Sequence, residues 1–193
     1  MTEKEILVIV AHPDDETIWA GGTLLKTKLK KTIIALCRKN DKDRSPRFEK
    51  ACKILNSNGY ISDLDDSEEG YYKKISKQTV IKRILKITKK KKYDYIFTHG
   101  KNGEYNHIRH MEVHKIVNEM LEKKLLFAKK VLFFSYKKRG KICNINPNAY
   151  KLIKLEEPYF KMKKQLIQNI YGFEKGSFEE RCCRSVEAFD IKK

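Results

Sequence analysis

No apolar run in this 193-residue chain approaches the ~20 residues that a membrane-spanning helix requires. The longest, at 6–11 and around 125–134, stop far short of it. The start, MTEKE, is too charged and too soon followed by a strand-like run to act as a secretory signal. Cysteine is scarce and unpatterned: five residues, an odd number, with no C-x-x-C framework. That excludes a disulfide scaffold and favours reduced thiols in a cytoplasmic setting. Repeats, low-complexity blocks and linkers are also missing, so nothing marks a second domain, and 193 residues suffice for one real core. Acidic residues are outnumbered, 25 Asp+Glu against 43 Lys+Arg, which leaves a net charge of +18. Such a balance raises a nucleic-acid or anionic-surface reading. However, the lysines are scattered over 26–31, 82–92, 123–130 and 151–164, with no aromatic interleaving of the RNP kind. The charge therefore predicts solvated helix faces and no nucleic-acid partner.

What is present alternates. Short β-branched or aromatic runs at 6–11, 32–37, 93–100 and 130–136 predict buried parallel strands. Between them, 15–31 carries apolar residues at helical spacing. Residues 45–59 predict a helix with Ser45 as N-cap, Pro46 in the first turn and Gly59 as its stop. Further helices are expected at 76–92, 110–127 and 158–172, with an acidic loop at 61–70 and a loop at 137–150. The tail, 179–191, reads as a helix or turn with a short strand. This alternation predicts a three-layer α/β fold with a mostly parallel sheet, whose functional residues gather at the carboxyl ends of the strands.

Two clusters fall at such ends. AHPDDE, residues 11–16, closes the first strand with three carboxylates and an imidazole, far more than a turn needs. The bland reading makes Asp14 a helix cap and Glu16 a surface acid of the first turn; for Glu16 that reading is preferred. GEYNHIRHMEVH, residues 103–114, sets His107, His110 and His114 at i, i+3 and i+7, along one face of a helix. Alone, these histidines are equally open to packing and to metal binding. Together the clusters offer two nitrogens and one oxygen with a position left for water, the donor set of an open His₂-carboxylate zinc site. A neighbouring carboxylate is then free to act as general base.

AHPDDETIWAGGTL followed about ninety residues later by GEYNHIRHMEVH resembles the zinc-dependent de-N-acetylases of the PIG-L, or LmbE-like, family. DRSPRFEKACKIL, KQLIQNIY and VEAF extend the likeness more loosely along the chain. The resemblance implies one Rossmann-like domain over 1–193, and a hydrolase that removes acetate from an N-acetylglucosamine-containing substrate. It implies zinc, or another divalent metal such as iron, on His12, Asp15 and His110. It implies Asp14 as general base, with His107 steadying the oxyanion or protonating the leaving amine, and Tyr105 assisting at the carbonyl oxygen. Arg44 is the implied substrate contact, with an acid among Asp63, Asp65 and Asp66 as a fainter one. His114 is expected in the core or behind the ligands, His99 in a structural role, and the cysteines outside the site. Two departures stand out. The family's H-P-D-H reads His107-Ile108-Arg109-His110 here, so a cation is expected beside His107. The Ser-Gln after the Lys-containing helix is replaced by Tyr171-Gly172-Phe173. Two other functions remain to weigh: a basic polyanion- or nucleic-acid-binding protein with an inactive deacetylase-like site, and a deacetylase whose amino-sugar substrate is itself anionic.

Overall fold

The computed structural model describes residues 4–66, 75–88 and 92–192. Its framework is a seven-stranded sheet of order β3-β2-β1-β4-β5-β9-β8. Strands β1 (Glu5–Val10), β2 (Lys30–Cys37), β3 (Ser57–Leu64), β4 (Lys92–Thr98) and β5 (Phe127–Phe134) run parallel. β9 (Val186–Lys192) and β8 (Lys151–Lys154) are added antiparallel at one edge. A separate hairpin joins β6 (Tyr136–Arg139) to β7 (Ile142–Ile145).

The alternation of β1 divides the core in two. Ile6, Val8 and Val10 face a cluster with Trp19 and Leu24 of α1 (Asp15–Lys26), Phe48 and Ala51 of α2 (Arg44–Ile54), and Leu166 just beyond α6 (Glu157–Gln165). Leu7 and Ile9 face Val80 and Ile84 of α3 (Lys77–Ile87), and Val113 and Val117 of α5 (Ile108–Glu122). The three layers expected from the sequence are therefore present, and every side chain of β1 beyond Glu5 is buried, as a strand covered on both faces must be.

Four local expectations are corrected. The helix predicted over 45–59 ends at Ile54; Asn56, at φ 49°, turns the chain, and Ser57–Leu64 forms the edge strand β3 instead of entering an acidic loop. A polar edge strand lacks the apolar run that marks a central one. Gly59 is not a helix stop but a close-packing position, since a Cβ there would lie 2.6 Å from Cys52 Sγ. Ser45 is not the N-cap: that place falls two residues earlier, on Asp43, and α2 starts at Arg44. The loop at 137–150 contains the β6–β7 hairpin, whose turn places Gly140 at φ 61°. Parts of the predicted acidic loop (67–70) and of the predicted helix at 76–92 (89–91) lie outside the described residues.

α1 is held in an unusual way. The Gly22 and Thr23 amides both donate to the Glu187 carboxylate at 2.8 Å, and the Trp19 carbonyl accepts from the Tyr136 hydroxyl at 3.0 Å. Glu187 also pairs with Lys163 at 2.8 Å, with both side chains fully buried. Gly22 is required because a Cβ would fall 2.3 Å from Leu155 Cδ1. α1 is thereby fastened to the last strand.

Candidate active site

β1 and β4 are neighbours whose connections leave in opposite directions across the sheet, so a crevice opens beyond their carboxyl ends. The segment after β1 carries His12, Asp14 and Asp15. The segment after β4 carries His99, the irregular turn α4 (Gly103–Asn106), His107 and His110. Both segments hold strained backbone: Asp14 has φ 109°, Glu104 φ 58° and Asn106 φ 69°. Such conformations persist where the surroundings over-determine them. Asp14 is held by its amide donating to Glu16 Oε2 (3.1 Å) and by its carbonyl accepting from the Thr17 and Ile18 amides (2.9 and 2.8 Å).

His12 Nδ1 lies 3.1 Å from His110 Nε2, and Asp15 Oδ2 lies 3.3 Å from each. Metal–ligand bonds of about 2.0–2.2 Å in a tetrahedron set ligand atoms about 3.3–3.4 Å apart, so this triangle has the size of one tetrahedral face. The far side of each of these three side chains is anchored. His12 Nε2 sits 3.0 Å from Asp66 Oδ1, and His110 Nδ1 2.6 Å from Glu104 Oε2. The Trp19 indole donates to Asp15 Oδ1 at 3.0 Å. With their outer nitrogens facing carboxylates, both imidazoles turn their inner nitrogens toward Asp15, where a proton or a metal cation can sit. The electrostatics agree. Burial disfavours charge on His110, yet Asp15 and Glu104 outweigh it and push its pKa up to about 10. Asp15 is buried too, but His110 and His99 hold its carboxyl well below the usual range.

His99 offers Nε2 3.5 Å from Asp15, but this nitrogen accepts the Ala11 amide at 2.9 Å and Nδ1 faces Glu104 at 2.8 Å. Its ring stacks on His110 with centroids 3.9 Å apart. His114 lies behind it, Nδ1 donating to the His99 carbonyl at 2.8 Å. The three helix-spaced histidines thus part: His107 faces the pocket, His110 the triangle, and His114 the backbone just past β4.

A pocket of about 240 Å³ opens over the triangle, lined by residues that include Asp14, Arg38, Arg44, Tyr105, His107 and Phe178. Asp14 Oδ2 accepts from Arg44 at 2.9 Å and makes no helix-capping hydrogen bond. Burial first, then the Asp15 charge, raise its pKa well above the ordinary carboxylate range against the pull of Arg44. The Arg44 guanidinium lies 4.3 Å over the Phe173 ring. His107 packs its ring 4.5 Å from that of His110; burial, His110 and His12 push its pKa down to about 3. Tyr105, edge-on to His107 and His110, keeps its phenol proton because burial and the nearby acids raise its pKa.

Residues 7–121 match the model of a protein family described as PIG-L: GlcNAc-PI de-N-acetylase. The chain belongs to the PIG-L family. A viral relative, the uncharacterized protein L374 of Acanthamoeba polyphaga mimivirus, is 24% identical over 127 residues, 59% of this chain. That match spans 56% of the relative's own length. The fold is similar to that of N,N'-diacetylchitobiose deacetylase from Pyrococcus horikoshii, with a TM-score of 0.70 at 18% identity over 98% of this chain and 84% of the other. The conserved protein TT1542 from Thermus thermophilus gives a TM-score of 0.61 at 17% identity, covering 86% of this chain and 77% of that one.

For this PIG-L-family chain, two expectations fail. Glu16 is not a surface acid: it is fully buried, and the Tyr171 hydroxyl donates to it at 2.7 Å and that of Thr17 at 2.5 Å. Arg109 is not directed at His107; its buried guanidinium pairs with Glu112 at 2.5 Å and Asp65 at 3.5 Å. Of the three acids considered, Asp66 reaches the site, while Asp63 pairs with Arg83 at 2.7 Å. Sequence reasoning missed Glu104, Arg38 and the Trp19 indole. Glu104 had a signal, an acid flanked by Gly103 and Tyr105 inside the histidine motif. Arg38, at φ 71° with Nε 2.8 Å from Asp66, had none.

Proposed function

We propose that the chain is a metal-dependent amide hydrolase that removes the acetyl group from an N-acetylglucosamine-containing substrate. The observation that carries this reading is the triangle of His12 Nδ1, Asp15 Oδ2 and His110 Nε2 beside a general-base carboxylate in a pocket. The family match and the deacetylase-like fold support it. Those three atoms would hold zinc, or another divalent ion such as iron, which supplies polarisation of the amide carbonyl and acidification of water. Asp14, oriented by Arg44, takes the proton of the attacking water; burial and the neighbouring Asp15 favour its keeping that proton until the amine departs. Tyr105 and His107 donate hydrogen bonds to the carbonyl oxygen as it gains charge. With a pKa pushed to about 3, His107 does so as a neutral imidazole, so the proton for the leaving amine comes from Asp14. Arg44 also contacts the substrate at the rim.

The net charge of +18 is not gathered in this pocket, where Asp14, Asp15, Asp66 and Glu179 face Arg38 and Arg44. An anionic substrate is therefore no requirement of the reading. Acetate release from a panel of neutral and anionic N-acetylglucosaminyl compounds, paired with metal analysis of the purified protein, tests it. Release that disappears on chelation and returns with added metal supports it; a metal-loaded protein inert toward the whole panel refutes it.

A further inference from the structure

We propose that Glu104 is a positioning residue, acting with His99 to fix the tautomer and direction of His110 as a metal ligand. The inference rests on the metal site of the proposed function, not on the identity of the substrate. Glu104 is fully buried, and a carboxylate in such a place needs hydrogen-bond donors to offset the loss of water. It has three: Oε1 accepts from the Gly100 amide at 2.7 Å, and Oε2 accepts from His110 Nδ1 at 2.6 Å and from His99 Nδ1 at 2.8 Å. His99 continues the chain, its Nε2 accepting the Ala11 amide at 2.9 Å. Ala11 adjoins the ligand His12, and Gly100 follows the end of β4. One carboxylate thus ties together the two segments that must meet for the ligands to converge.

The tautomers follow from the donors. An Ala11 N–H aimed at His99 Nε2 leaves the His99 proton on Nδ1, facing Glu104. The same carboxylate accepts the Nδ1–H of His110, so the proton that a metal would displace is the one on Nε2, and the lone pair freed there points into the triangle. Arg109 stands where the resemblance expects an aspartate, and its guanidinium is directed to Glu112 and Asp65. The carboxylate that orients His110 comes from Glu104, presented by a turn at φ 57° (Gly103) and 58° (Glu104).

Glu104→Gln keeps the shape and spoils the pattern. If the amide oxygen stays on the histidines, the amide NH₂ confronts the Gly100 N–H. If it flips, the NH₂ confronts both Nδ1 protons and drives the His110 proton toward Nε2, where the metal belongs. Zinc affinity, measured by competition with a chromophoric chelator on protein stripped of metal, is expected to fall ~10–100-fold in Glu104→Gln. The visible spectrum of the cobalt-loaded variant should change as well. Ile84→Val in α3, which loosens the core away from the site, should leave both unchanged, which separates positioning from general loss of stability. If Glu104→Gln does not fold, His99→Gln tests the same link, since it leaves an acceptor for the Ala11 amide and no Nδ1 proton for Glu104. Zinc affinity within about threefold of the wild type in either folded variant overturns the proposal, because disturbed ligand support typically costs far more. A wild type that takes up no zinc also overturns it. A wild type that binds zinc and releases no acetate sinks the hydrolase reading alone.

Discussion

Metal uptake at this site should be driven by pH, in a direction and size set by His110. In the metal-free site its pKa is pushed up to about 10, because Asp15 and Glu104 outweigh the penalty of burial. The metal must displace that proton. At pH 7 the proton sits about 3 units below its release point, a competition of about 4 kcal/mol, which shrinks to about 1.4 kcal/mol at pH 9. Conditional zinc affinity, corrected for the chelator's own protonation, should therefore rise about tenfold per pH unit between pH 7 and 9. Calorimetry in buffers of different ionisation enthalpy should show about one proton released per zinc at pH 8 from His110 alone. His12, whose pKa Asp15 and Asp66 also raise against burial, can only add to this. The metal-free fold behaves oppositely. A group whose pKa is raised on folding contributes stability that is fully present below about pH 6.5 and is lost as pH rises through about 10. The thermal gap between zinc-loaded and stripped protein should accordingly widen with pH. A slope below about 0.3 decades per pH unit would refute the reasoning, since it means that His110 is already neutral before the metal arrives.

Other consequences are as direct. Asp14→Asn should keep the metal and lose turnover by ~10²–10⁴, while Asp15→Asn should lose the metal itself; equal metal loss in both shows the roles are divided wrongly. His107→Gln should lower kcat with zinc content intact, and no limb of the pH profile between about 5 and 9 should belong to His107; a limb that vanishes in this variant contradicts its neutral role. Gly22→Ala drives a Cβ into Leu155 and should cost about 1–3 kcal/mol, read as a lower unfolding midpoint; an unchanged midpoint means Leu155 yields freely. Binding to duplex DNA at physiological salt should be no tighter than the non-specific range, Kd ~10⁻⁴–10⁻⁶ M; retention above ~200 mM salt would instead favour the polyanion-binding reading.

The parallel strands β1, β2, β4 and β5 and their helices were legible because each buried run is apolar along its length and each helix carries an apolar stripe. β3 was not, because an edge strand such as Ser57–Leu64 has a polar side to show to solvent. That His12, Asp15 and His110 would come together could be read from two motifs. What they lean on could not, because Asp66, Glu104 and Trp19 reach these three residues through tertiary contacts at 2.6–3.0 Å. Glu16 misled for a related reason: an acid in a first helical turn reads as solvated, and only Tyr171, 155 residues away, reveals its burial.

The clasp of Glu187 on α1 has a consequence for how the molecule is made. His12, Asp15 and His110 have all left the ribosome once residue 110 of this sequence has, inside the segment that the family shares. The groups that secure α1 emerge later: Tyr136 on the Trp19 carbonyl, Lys163 beneath Gly21, Tyr171 on Glu16, and Glu187 on the Gly22 and Thr23 amides. A nascent chain halted at residue 150 would hold all three residues of the triangle and lack most of these restraints. Pairings of such long sequence separation close late, after their loop entropy has been met. Birth order and assembly order therefore run in opposite directions at this centre: what is synthesised first is locked last.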